Sequence, residues 1–150
     1  MKLTIELVPW TCWFSDVRSQ VEPADWEILR KATLAKAGHR CEVCGRQVTP
    51  LHCHEVWEYD DVKHIQKLVK LQALCSACHE VKHIELAQIK GRFRFALRHM
   101  AKVNDITEEK ADGYENRAMD KYQERSKHEW TLDLSWLKER GITWKERTSG

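Results

Sequence analysis

At 150 residues the chain has the length of one domain with a modest core, and 42% hydrophobic with 32% charged residues is the composition of a folded soluble protein. A net charge of +2 excludes a polycation, so affinity for nucleic acid has to come from a local patch. No run of about 18 apolar residues is present and no secretory apolar region follows Met1, which argues against a membrane helix and for reduced thiols in the cytoplasm.

Leu3, Ile5 and Leu7 alternate with Thr4 and Glu6, predicting a strand that Pro9 stops. An aromatic loop follows with Trp10, Cys12, Trp13 and Phe14. Pro23 opens a helix in which Trp26, Leu29, Leu34 and Ala37 form an apolar stripe, and Gly38 ends it. Residues 49–57 read as a strand. Asp60 or Asp61 is placed to cap a short helix carrying Val62, Ile65 and Leu68. Val69, Leu71 and Ala73 then alternate with Lys70 and Gln72 as a second strand, and from Ser76 the spacing of Val81, Ile84 and Ala87 turns helical until Gly91. Helices are expected over 93–103 and about 107–127, the latter capped by Thr107 with Glu108 and Glu109 in its first turn. Trp130, Leu132 and Leu134 suggest a last strand that pairs with the N-terminal one.

Two Cys-x-x-Cys knuckles, Cys41-Glu-Val-Cys44 and Cys75-Ser-Ala-Cys78, supply four thiolates in two close pairs, as a tetrahedral zinc ion requires. Two such pairs argue for metal rather than for a thioredoxin-like redox motif. Cys12 and Cys53 have no evident partner and read as small buried hydrophobes. His79 and His83 are one helical turn apart, so both imidazoles lie on one face and can share a second ion. His54, on the facing strand, is a candidate third ligand. Three protein ligands leave open positions for water and a phosphate oxygen. His52 and His64 read as surface residues, and Trp57 is the tryptophan nearest this site.

Laid out in this way, residues 41–83 resemble the HNH endonuclease family, whose core is a ββα-metal finger. The resemblance rests on Cys41-Glu-Val-Cys44-Gly45, on Leu51-His-Cys-His-Glu-Val56, and on Leu71-Gln-Ala-Leu-Cys-Ser-Ala-Cys-His79 with Lys82-His83. It implies an α+β fold: a ββα-metal finger over residues 39–91 with a structural Zn2+ on Cys41, Cys44, Cys75 and Cys78. Residues 1–38 and 92–150 would flank this core within a single domain, with a small terminal strand pair. The resemblance further implies a catalytic divalent ion (Mg2+, Mn2+, Ni2+ or Zn2+) on His54, His79 and His83, with Glu55 or His54 as the base that activates water. Glutamate, with an ordinary pKa of about 4.3, is ionised at neutral pH and can serve. The family pattern usually has histidine where Glu55 stands and asparagine near Lys70. Lysine cannot accept the hydrogen bond that asparagine does, though it can hold a phosphate.

Lys90, Arg92, Arg94, Arg98 and Lys102 form a basic run without an intervening acid, and with Lys70 and Lys82 they are the candidate contacts to a phosphate backbone. The implied activity is metal-dependent hydrolysis of double-stranded DNA. The rival expectation is a non-catalytic zinc module that binds nucleic acid or a protein partner. The charged and aromatic helices after residue 107 offer a surface for a homodimer or such a partner.

Overall fold

The computed structural model describes residues 1–13 and 16–145. The chain begins with an extended segment, not the expected strand: Leu3 and Leu7 are buried, but the backbone joins no sheet, and the Glu6 amide donates to the Lys82 carbonyl instead. A 3-10 turn over Trp10–Cys12 follows, with Phe14 of the expected aromatic loop outside the described residues. Two helices come next, α1 (Val17–Gln20) and α2 (Pro23–Lys36). Pro23 sits in the first turn of α2, where its missing N–H costs nothing, and Gly38 takes the left-handed φ of 66° that ends the helix. Of the expected stripe, Trp26 and Leu29 are buried.

The centre is a long antiparallel hairpin of β1 (Leu51–Asp60) and β2 (Ile65–Cys75). The helix expected between the strands is absent. Asp60 still acts as a cap, but of a turn: its Oδ1 accepts the Val62 and Lys63 amides, while Ile65 and Leu68 belong to β2. Pairing runs from Leu51 opposite Cys75 to Asp60 opposite Ile65, with a register shift at Val56/Trp57. The last strand, β3 (Thr131–Asp133), lies parallel to Ile65–Lys67 of β2 and not beside the N-terminal segment. Among the described residues the sheet order is β1-β2-β3, which leaves β1 as an open edge.

The expected helix from Ser76 is two helices, α3 (Ser76–Lys82) and α4 (Ile84–Ile89), broken at His83 with φ −112° and ψ 56°. Helices α5 (Phe93–Asn104) and α6 (Glu108–Arg125) agree with the sequence reading to within two residues, and the Thr107 hydroxyl accepts the Lys110 amide as the cap of α6. A short α7 (Ser135–Lys138) closes the described chain.

The fold is therefore mixed α+β. The hairpin separates two apolar clusters. On one side Leu74, Val81, Ile84, Leu97 and Met100 join α3, α4 and α5 to the N-terminal segment. On the other, Val17, Trp26, Leu29, Leu68, Leu71 and Leu137 join α1, α2 and α7 to the sheet. Truncating any of the fully buried leucines to alanine costs about 2–5 kcal/mol by the usual large-to-small rule. Through Cys78 and Val81, α3 packs in the first cluster with Leu74 of β2 and Leu51 of β1. No helix is long and apolar enough to cross a membrane among the described residues.

Candidate metal centres and cleft

Both cysteine knuckles end on the same spot. Gly45, at a φ of 77°, lets the first turn close so that its amide donates to the Cys41 carbonyl. The second knuckle is the junction of β2 and α3, where Cys75 is the helix cap and its sulfur accepts the Cys78 amide. The four sulfurs all lie within 4.8 Å of one another. Cys44 Sγ and Cys75 Sγ are 3.7 Å apart. Two sulfurs at about 2.3 Å from a tetrahedral zinc ion stand about 3.8 Å apart, so the donor set fits that ion.

The electrostatics point the same way. Burial works to raise the Cys44 thiol, but the Arg46 amide and guanidinium outweigh it and bring the thiol down to about 6. Cys78 is pushed up, by burial first and then by the neighbouring sulfurs. Four thiols this close cannot all ionise unless a cation sits among them. Two residues that sequence reasoning did not single out complete the surroundings: Arg46 reaches Cys75 Sγ at 3.6 Å, and His99 Nε2 lies 3.2 Å from Cys78 Sγ. They lie in a loop and on α5, and no local pattern marks them as partners.

The second cluster is histidine. His54 from β1, His79 from α3 and His83 from the α3–α4 break present ligand nitrogens within 4.8 Å of one another. His52, read as a surface residue, shares the His54 face of β1 and stacks on His79 with ring centroids 4.8 Å apart. Its Nε2 lies 3.0 Å from Ser76 Oγ. Burial, then the neighbouring imidazoles, press His79 down to about 3 and His83 to about 4. Both rings are neutral at physiological pH and keep a lone pair to offer.

Behind His54 stands Glu6. Its Oε2 lies 2.9 Å from His54 Nε2, and its Oε1 lies 2.9 Å from the Nζ of buried Lys82. Burial raises Glu6, but the His54 hydrogen bond and the Lys82 charge outweigh it and hold the carboxyl at about 2. Lys82 also donates to Thr4 Oγ1. It is therefore not an exposed phosphate contact, which corrects the expectation for this residue.

Glu55 leaves β1 on the opposite face from His54, with Cys53 and Trp57, as strand alternation requires. Its Oε1 accepts the Val17 amide, and burial raises the carboxyl to about 7. Both faces of β1 nevertheless open on one cleft of about 540 Å³ that wraps the free edge of the strand. His52, His54, His79 and His83 line it from one side of β1, and Cys53, Glu55 and Trp57 from the other. The hairpin and α3 thus contribute to both sets of donors, with Cys78 of the first and His79 of the second adjacent on α3. No protein-family model, curated protein or solved structure matches the chain.

The basic run is less available than its sequence suggests. Arg92 pairs with Glu80 at 2.7 Å, Arg94 with Asp112 at 3.0 Å and Arg98 with Glu108 at 3.3 Å. The acids come from α3 and α6, which no scan of residues 90–102 could reveal. Lys70, Lys90 and Lys102 are exposed and outside these pairs.

Proposed function

We propose that the protein is a metal-dependent endonuclease of the HNH type, hydrolysing DNA phosphodiester bonds at the cleft on the free edge of β1. The observation that carries this reading is the convergence of His54, His79 and His83 on the wall of that cleft, apart from the four cysteines. A scaffold that needs only a zinc clasp has no use for a second set of neutral imidazoles. In this reading Cys41, Cys44, Cys75 and Cys78 hold a structural Zn2+ that fastens the hairpin to α3. The three histidines hold a divalent ion such as Mg2+, Mn2+, Ni2+ or Zn2+, which when bound supplies charge stabilisation to the pentacovalent phosphate and its leaving oxygen. Glu55, one residue along β1 and lining the same cleft, takes the proton of the attacking water. Exposed Lys70, Lys90 and Lys102 attract the phosphate backbone without reading sequence. Reduced thiols and zinc suit a cytoplasmic setting.

One specific observation favours the rival reading, a zinc module without catalysis that binds nucleic acid or a protein partner: the Glu55 carboxylate is occupied by a backbone amide. A titration separates the two. Protein carrying its cysteine-bound zinc is given increasing Mn2+, Ni2+ or Mg2+ with supercoiled plasmid. Nicking that rises with the added ion supports the nuclease, and intact plasmid at every ion concentration supports the binding module.

A further inference from the structure

The N-terminal segment places a carboxylate against the His54 ring. Glu6 meets His54 Nε2 at 2.9 Å and Lys82 Nζ at 2.9 Å, and both partners are almost fully buried, at 4% and 3% exposure. Lys82 stands on α3 between His79 and His83, so one carboxylate ties the strand that carries the first imidazole to the helix that carries the second. Thr4 Oγ1 donates to Glu6 Oε1, the oxygen that also accepts from Lys82, and the Glu6 backbone amide donates to the Lys82 carbonyl. These bonds place the carboxylate from several directions. Glu6 itself does not belong to the group of side chains whose ligand atoms fall within 4.8 Å of one another.

From this geometry we infer that Glu6 is a positioning residue for the three-histidine site: it accepts the Nε2–H of His54, and so fixes the tautomer whose Nδ1 lone pair is free for a divalent cation. A carboxylate is an acceptor only, so the nitrogen facing it carries the hydrogen. Partners of this kind orient a ligating imidazole and make it a better donor. The inference rests on the three-histidine metal reading.

Removing Glu6 alone strands a buried ammonium and risks the fold, so the test uses E6L/K82M, which removes the buried pair together, beside K82M, which keeps the carboxylate. Affinity for Co2+ or Zn2+ beyond the cysteine-bound equivalent is measured by competition with a chromophoric chelator, with circular dichroism as the check on folding. K82M should bind within about threefold of wild type, and E6L/K82M about 10–100-fold more weakly. In the metal-free proteins, long-range 1H–15N spectra should show His54 protonated at Nε2 in wild type and K82M, and a gain of the Nδ1–H form in E6L/K82M. A folded E6L/K82M with wild-type affinity and an unchanged tautomer overturns the role of Glu6 and leaves the metal site standing. Wild-type protein that binds no metal beyond the cysteine-bound ion overturns the metal site itself, and this inference with it.

Discussion

Glu55 Oε1 accepts the amide of Val17 at 2.5 Å, on the face of β1 opposite the one that carries His54. The same carboxylate lines the cleft, so its hydrogen bond to the backbone and its proposed role as base can be separated by substitution. Glu55→Gln keeps an acceptor for the amide and should melt within a few degrees of wild type. Its plasmid cleavage should fall about 100-fold or more, the usual scale for losing a general base. His52→Ala, which removes the imidazole stacked on His79, should slow cleavage by less than about tenfold. The reverse pattern, a silent Glu55→Gln and an inactive His52→Ala, moves the base to the His54 face of the strand.

The cysteine centre predicts a stability effect that is independent of cleavage. Cys75 is both a member of the four-sulfur cluster and the cap of α3. Cys75→Ser should lose the tightly held zinc equivalent and cost more than about 3 kcal/mol, since binding of a structural zinc is folding free energy. Elemental analysis with a denaturant titration reads both. A variant that retains full stability without zinc would show that the apolar clusters alone hold the hairpin to α3.

Nucleic-acid affinity should depend on the unpaired lysines more than on the arginines. Lys70→Ala and Lys90→Ala should each lower the slope of log K against log salt by about 1 if each meets a phosphate. Arg94→Ala, whose guanidinium already pairs with Asp112, should change it less, and Lys82→Met should leave it unchanged because Lys82 is buried. Fluorescence anisotropy with a labelled duplex across a salt series gives these slopes. Equal losses for Arg94 and Lys70 would mean that the surface ion pairs open when DNA binds.

Away from the cleft, Arg125 of α6 grips Asp61 at the hairpin turn, with distances of 2.8 and 3.0 Å, and stacks on Tyr59. The Arg125 hydrogen bond lowers the Asp61 carboxyl. A lowered acid contributes stability that is present above its unfolded pKa, about 3.9, and is lost as pH falls through the folded value. Asp61→Asn should therefore cost up to about 1 kcal/mol at pH 7, a small figure because the pair is half-exposed, and nothing once the pH lies below the folded value. Urea titrations at pH 7 and at acid pH test this; a cost that persists in acid would place the effect in packing.

What could be read from the chain was what is local. The knuckles were legible because Cys41 and Cys44, and Cys75 and Cys78, are each joined by one short turn. His79 and His83 were legible from helical spacing, even though the helix breaks at His83. Long-range pairing was not legible. Nothing near Trp130 tells that its strand joins β2 in parallel, and nothing near Leu3 tells that a strand-like alternation will run beside α3 as an unpaired segment. The two strands were legible, but the link between them was misread as a helix because Asp60 and Asp61 suit a helix cap and a turn equally well. Glu6 and Lys82 were missed as partners because 76 residues separate them, and a lysine beside histidines reads naturally as a phosphate contact.

In the proposed nuclease the three-histidine cluster holds the ion that cleaves DNA. The most direct measurement is cleavage of supercoiled plasmid by wild type and His79→Ala, each purified with its cysteine-bound zinc and supplied with Mg2+, Mn2+, Ni2+ or Zn2+. Nicking or linearisation by wild type, lost in a folded His79→Ala that still carries one zinc, is the predicted result. Equal cleavage by both proteins, or none by wild type with any ion, would contradict the claim.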